Sequence, residues 1–212
     1  MDKFTTTQKT RQLVRRTGIL AAIAAVAMMI APAVGAAAPV KFGSKLNPTV
    51  QPSNSLPGLK CSQEAPGPCT FVQQEAYGRP DGGELAPKTG TIRKIRLIAG
   101  GPGSFKLQIA KVKRSTLFGT NEAKVVANGP RINYQGQSEA NDEAGSYNVE
   151  TFNVNVPVKK GQQLALKGNL TSMVRCSSGG PNTLIYTPPL GGSFRPATET
   201  DGCWILMEAV IR

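Results

Sequence analysis

The chain has 212 residues, 25 Lys and Arg against 13 Asp and Glu for a net charge of +12, and no histidine. The missing imidazole excludes Ser-His-Asp and Cys-His nucleophile systems, most catalytic zinc sites and the usual near-neutral general base. The positive excess favours polyanionic partners, although its dispersal along the chain also fits simple solubility.

The first element is a leader. Lys3, Lys9, Arg11, Arg15 and Arg16 precede an apolar run from Gly18 to Ala31, broken by Pro32. Small residues follow, and both Val34-Gly35-Ala36 and Gly35-Ala36-Ala37 suit a cleavage site. This is the layout of a secretory signal peptide, expected here as a helix within 1–37. The run is shorter than the roughly 20 residues that cross a bilayer. Cleavage therefore leaves no transmembrane anchor and about 176 residues, enough for one core. It removes five basic residues and one acid, so the remaining charge is +8. Arg15-Arg16 fits twin-arginine export only loosely, and either export route places the protein in an extracellular or cell-surface setting.

Residues 38–60 read as an extended arm or linker. A short strand near Val40 to Phe42 opens it, and Pro, Ser, Asn and Gly dominate the rest. Four cysteines follow: Cys61, Cys69, Cys176 and Cys203. An even count in an exported chain reads as two disulfides, for which three pairings exist. Cys61–Cys69 is favoured because Pro66, Gly67 and Pro68 turn that loop back on itself. Cys176–Cys203 would then staple a loop to the last strand. The spacings do not fit paired zinc knuckles, and no histidine is available.

The rest is a succession of short strands between Gly/Pro turns. "TFVQQ" from Thr70 is the first. "TIRKIRLIA" sets Ile95, Leu97 and Ala99 on one face. After Gly100-Gly101-Pro102-Gly103, "SFKLQIAKV" alternates Phe105, Leu107 and Ile109 against Lys106 and Gln108. "AKVVANG" is a further candidate. "ETFNVNVPV" turns Phe152, Val154, Val156 and Val158 inward and Asn153 and Asn155 outward, with Pro157 suiting an edge or a strand end. "LALKG" and "TLIYT" follow. The closing run "CWILMEAVI" is apolar on both phases except at Glu208, as for a central strand buried on both sides. Short strands at this spacing indicate a sandwich or barrel.

"GSKLNPTVQPSN", "CTFVQ", "GTIRKIRLIAGGPGSFKLQI" and "FNVNVPVKKGQQLAL" occur in that order before the final apolar strand. Together they resemble a group of bacterial secreted β-sandwich, jelly-roll-like proteins of unassigned function. The resemblance covers most of the chain after the leader, and its motifs are structural: a strand, a turn with glycine, the next strand. It implies a secreted sandwich and carries no catalytic residues across. "VPVKKGQQLAL" also resembles turns in jelly-roll modules that bind carbohydrate.

The expected fold is therefore all-β. It is an antiparallel β-sandwich of jelly-roll type with about eight strands over 61–212, preceded by the arm over 38–60 and the leader over 1–37. Carboxylate chemistry would draw on Glu75, Asp81, Glu84, Glu150 or Glu208, and no local pattern pairs two of them. Glu139, Asn141, Asp142 and Glu143 offer calcium-type oxygen ligands without the EF-hand spacing. No other cofactor is implied. Tyr134 and Tyr147, read as loop residues, are the ligand-stacking candidates, whereas Trp204 beside Cys203 suits core packing over the disulfide. No recognition helix, RNP aromatic pair or arginine-rich block marks a specific nucleic-acid binder. The leading expectation is a secreted, non-enzymatic module binding cell-wall or extracellular glycan. A structural or protein-interaction role in the cell envelope and a carboxylate-based glycan hydrolase are the alternatives.

Overall fold

The computed structural model describes residues 38–46, 61, 67–74, 83–114, 121–136, 148–169, 174–177 and 182–212. All of them belong to the compact unit Ala38–Arg212. The signal-peptide helix read within 1–37 lies outside the described residues.

In chain order the strands are β1 (Val40–Gly43), β2 (Cys69–Gln73), β3 (Gly90–Leu97), β4 (Gly103–Lys113), β5 (Glu122–Tyr134), β6 (Glu150–Val158) and β7 (Gln163–Gly168). They continue with β8 (Cys176–Ser177), β9 (Thr183–Tyr186), β10 (Arg195–Pro196), β11 (Glu199–Asp201), β12 (Trp204–Ile205) and β13 (Met207–Ile211). Among the described residues there is no helix. The count exceeds the expected eight because β1 joins from the arm, the short strands β8, β10 and β11 form between β7 and β13, and the closing run divides into β12 and β13.

Every pairing is antiparallel. A four-stranded sheet runs β1-β13-β3-β6, a seven-stranded sheet β10-β5-β4-β7-β2-β9-β11, and β12 pairs with β8 alone. The main pairings are nested: β1 with β13, β2 with β7, β3 with β6 and β4 with β5. The strand expected near Val40 is thus an integral edge of the four-stranded sheet, within the compact unit Ala38–Arg212.

The two sheets enclose one core, giving a sandwich-like fold. The seven-stranded sheet contributes Phe71, Phe105, Leu107, Ile109, Leu164 and Leu166, and the four-stranded sheet contributes Ile92, Ile95, Leu97, Met207, Ala209 and Ile211. Period-two alternation explains these positions, since successive side chains point to opposite faces. Each of the Phe, Leu, Ile and Met side chains contributes about 1.5–3 kcal/mol on burial, and the Ala209 methyl less. Gln73 spans the sandwich: from β2 its Nε2 donates to the carbonyls of Ile205 (2.6 Å) and Met207 (3.2 Å).

A second, smaller apolar cluster lies on the outer face of the seven-stranded sheet. It comprises Val72, Ala110, Ala123, Ala165, Leu184, Tyr186 and Leu190. The segment after β9 runs along this face. Leu190 N donates to Thr70 Oγ1 (3.1 Å), and Val125 N donates to the Gly191 carbonyl (2.8 Å).

Two glycines are demanded by the packing. Gly43 has φ +103°, and a Cβ there would collide with the Met207 carbonyl. Its own N–H donates to the Gly83 carbonyl. At Gly129 a Cβ would sit 2.9 Å from Val156 Cγ2 and 3.1 Å from Leu107 Cβ, so β5 passes close to the core only without a side chain.

Both expected disulfides are present, Cys61–Cys69 and Cys176–Cys203, with Cα separations of 5.3 and 5.5 Å. Such bridges suit an oxidising, extracellular environment. Their sequence separations are 8 and 27 residues, and the longer loop removes more freedom from the unfolded chain. Replacing Cys176 and Cys203 together by Ala should cost on the order of 3–4 kcal/mol in urea unfolding. The Cys61/Cys69 double variant should cost about 1 kcal/mol less.

Candidate functional site

The core determines what the outer face of the seven-stranded sheet presents. Phe105 and Leu107 are buried on β4, so Lys106 between them points outward. The same reasoning sends Arg131 outward beside buried Ile132, and Lys167 outward beside buried Leu166. Register then aligns them. Lys106 lies directly opposite Arg131 on one side and Lys167 on the other. Lys167 in turn faces Thr70 on β2.

These three cations line a concavity of 570 Å³ together with Pro68, Ser104, Gly168 and Asn169. Among the described residues no carboxylate lines it. Arg131 is oriented by a bond from Nη1 to Ser104 Oγ (2.9 Å). The Cys61–Cys69 bridge stands at one end, where Cys69 pairs with Gly168 and Cys61 Sγ lies 3.4 Å from the Gly168 carbonyl oxygen.

Beside the cations runs a polar ladder. Thr70 Oγ1 donates to Gln108 Oε1 (3.2 Å), and Gln108 Nε2 donates to Asn128 Oδ1 (2.9 Å). Gln108 faces Ala165 on β7, and that short side chain leaves the way open to Thr70 on β2. Along this face the order is therefore cations, then satisfied amides and hydroxyl, then the small apolar cluster.

A smaller concavity of 190 Å³ is lined by Gln74, Leu85, Val112, Arg114, Asn121, Gly161 and Gln163. Gln163 is buried, and its Oε1 has no hydrogen-bond partner.

The carboxylates named from sequence are scattered. Glu208 is buried on β13 and answers two cations, Arg96 Nη1 at 2.6 Å and Lys41 Nζ at 3.4 Å. Register explains the first, because Glu208 lies opposite Arg96 on β3. Glu150 accepts bonds from the backbone N–H groups of Gln135 (3.1 Å) and Gly136 (2.7 Å). Glu84 is buried beside Leu85, outside the described lining of either concavity, with Oε2 unpartnered. Glu75 and Asp81 lie outside the described residues. So do Glu139, Asn141, Asp142 and Glu143, the calcium candidates. Among the described residues no group of three or more His, Cys, Asp or Glu side chains could hold a metal ion.

Tyr134 requires a correction. It is not in a loop; it is the last residue of β5, 2% exposed, with its ring 6.0 Å from that of Phe105. Packing against Phe105 on the inner face withdraws it from any ligand outside. Tyr147 lies outside the described residues. Trp204 is buried on β12, as its position beside Cys203 suggests. Tyr186 is also buried, and burial raises its hydroxyl pKa well above the ordinary value against the opposing pull of Arg195. It stays a neutral donor to the Asn121 carbonyl (3.4 Å).

The cation row itself was missed by sequence reasoning. Its members are 25 and 36 residues apart, and the sequence sets only Lys106 outward. Cross-strand register is the signal that joins them. No family model, curated protein or solved structure matches the chain.

Asp201, at the end of β11, gives a pH test of this edge of the sheet. Burial lifts its carboxyl above the usual 3.8, opposed by the Cys203 backbone N–H and aided by Glu199. A raised acid favours the folded state when protonated, below its unfolded pKa. That advantage is lost as pH rises through the folded pKa. Asp201→Asn keeps an acceptor for Cys203 and cannot ionise. It should melt at a higher temperature than the parent at pH 7, and the difference should close at pH 3.

Proposed function

We propose that this protein is an exported, non-enzymatic module that binds a cell-wall or extracellular glycan, built on a jelly-roll form of the sandwich. The jelly-roll reading is supported by the nested pairing of first strand with last, second with seventh, third with sixth and fourth with fifth, with β8 to β12 as an insertion. Export is supported by the leader pattern at 1–37 and by two disulfides. The resemblance to bacterial secreted β-sandwich proteins points the same way.

The observation that carries the binding reading is the 570 Å³ concavity on the outer face of the seven-stranded sheet. Its volume is in the range of small-ligand sites, although its lining is polar rather than apolar. Donors from Lys106, Arg131, Ser104, Lys167 and Asn169 surround it. These groups suit sugar hydroxyls and their substituents. The chemistry supports binding over turnover, since among the described residues Ser104 supplies the one hydroxyl of the lining, is held by Arg131 and has no base beside it.

Expression in a secreting host should release a chain that starts at residue 37 or 38 by N-terminal sequencing. Purified protein should bind glycans on an array or insoluble wall polymer in a pull-down. Retention of all sample by neither surface, with cross-linking to an envelope protein instead, would move the assignment to a structural role.

A further inference from the structure

Three cations in cross-strand register form an unusual surface. Neighbouring strands lie about 4.8 Å apart, so Arg131, Lys106 and Lys167 span about 10 Å across β5, β4 and β7. Like charges directly opposite one another destabilise a sheet. Elsewhere carboxylates answer several cations: Arg96 and Lys41 share Glu208, and Lys113 pairs with Glu122 at 3.6 Å, directly opposite it in register. A further like-charged pair, Lys111 opposite Lys124, sets Lys124 Nζ over the Phe194 ring at 4.7 Å. Among the described residues, Lys106, Arg131 and Lys167 make no ion pair.

We infer that this row is an anion-binding site, and that the glycan bound there is anionic, carrying carboxylate or sulfate groups along a sugar chain. The inference rests on the reading of the protein as a glycan-binding module and names the ligand's charge. One planar guanidinium between flexible ammonium groups suits a polymer of repeated anions: Arg131 grips one group in two-point fashion and the lysines act as point charges. Ser104 and Asn169 remain at the rim for sugar hydroxyls.

A glycan is favoured over nucleic acid by what the lining lacks. Among the described residues no aromatic side chain lines the concavity, and Tyr134, the nearest on β5, is buried on the opposite face. Single-stranded nucleic acid draws much of its affinity from bases stacked on such rings. Double-stranded nucleic acid would need a longer phosphate-tracking surface than a 10 Å row.

The test is calorimetry on the full chain with four probes: an oligogalacturonate, a sulfated oligosaccharide of equal charge, a neutral oligosaccharide of equal length, and a single-stranded oligonucleotide of equal charge. The expected result is binding to one or both anionic sugars and none to the neutral sugar. The oligonucleotide should bind at least tenfold more weakly. Affinity should fall as salt rises, and Lys106→Gln, Arg131→Gln and Lys167→Gln should each flatten that salt dependence by about one counterion. The triple variant should abolish binding, whereas Lys94→Gln on the other sheet should leave it unchanged. The unliganded protein gives a second reading. Lys106→Gln should raise the melting temperature in low salt, and the rise should vanish in high salt as screening removes the repulsion. Undiminished binding by the triple variant overturns the inference, as does oligonucleotide binding that equals the anionic sugars. Binding of the neutral sugar alone sinks the anionic assignment but preserves the glycan-binding reading; binding of no sugar removes both.

Discussion

Strand register on β4 is the constraint on which both the core and the candidate site depend. Because the side-chain period is two, the alignment that buries Phe105, Leu107 and Ile109 also sends Lys106 and Gln108 outward. A slip of one residue would drive Lys106 into the core and expose Leu107. The hydrophobic term therefore holds three cations together that would otherwise move apart. The repulsion is small beside the burial it accompanies: each apolar side chain contributes about 1.5–3 kcal/mol, whereas an unfavourable cross-strand pair is worth roughly 0.2–1 kcal/mol.

The four-stranded sheet solves a comparable conflict in the opposite way. β13 is buried along its whole length, yet it carries Glu208. Removing a carboxylate from water is costly unless it is paired and hydrogen-bonded. Arg96 from β3 and Lys41 from β1 provide both. The two faces of the sandwich thus differ in kind. On the four-stranded sheet Glu208 is answered by Arg96 and Lys41, whereas on the seven-stranded sheet Lys106, Arg131 and Lys167 line a concavity without an ion pair among the described residues.

Much of the fold was legible because alternation is a local signal. The inward sets on β3, β4 and β6 follow directly from the residues, as does the burial of the last strand on both sides. Both disulfides were legible too, one from the Pro-Gly-Pro bend and the other by pairing the remaining cysteines. β5 was underestimated because Asn128-Gly129-Pro130 has the composition of a turn. The strand runs through it to Tyr134 because the register shifts there, with Lys106 opposite Arg131 and Gln108 opposite Asn128, so Pro130 falls in a β-bulge while Gly129 clears Val156. That extension also carried Tyr134 from an expected loop into the core. The cation row was not legible, because it is a property of register between strands distant in the chain.

The central claim is that an anionic glycan sits on the outer face of β5, β4 and β7. The most direct measurement is a ¹H–¹⁵N NMR titration of the full chain with the oligogalacturonate and its sulfated counterpart. The account predicts that shifts concentrate at Ser104, Lys106, Arg131, Lys167 and Asn169, with the side-chain nitrogens of Arg131 among the most perturbed. Shifts gathered instead around Lys94 and Arg96 on the four-stranded sheet, or spread evenly over all lysines, would contradict it.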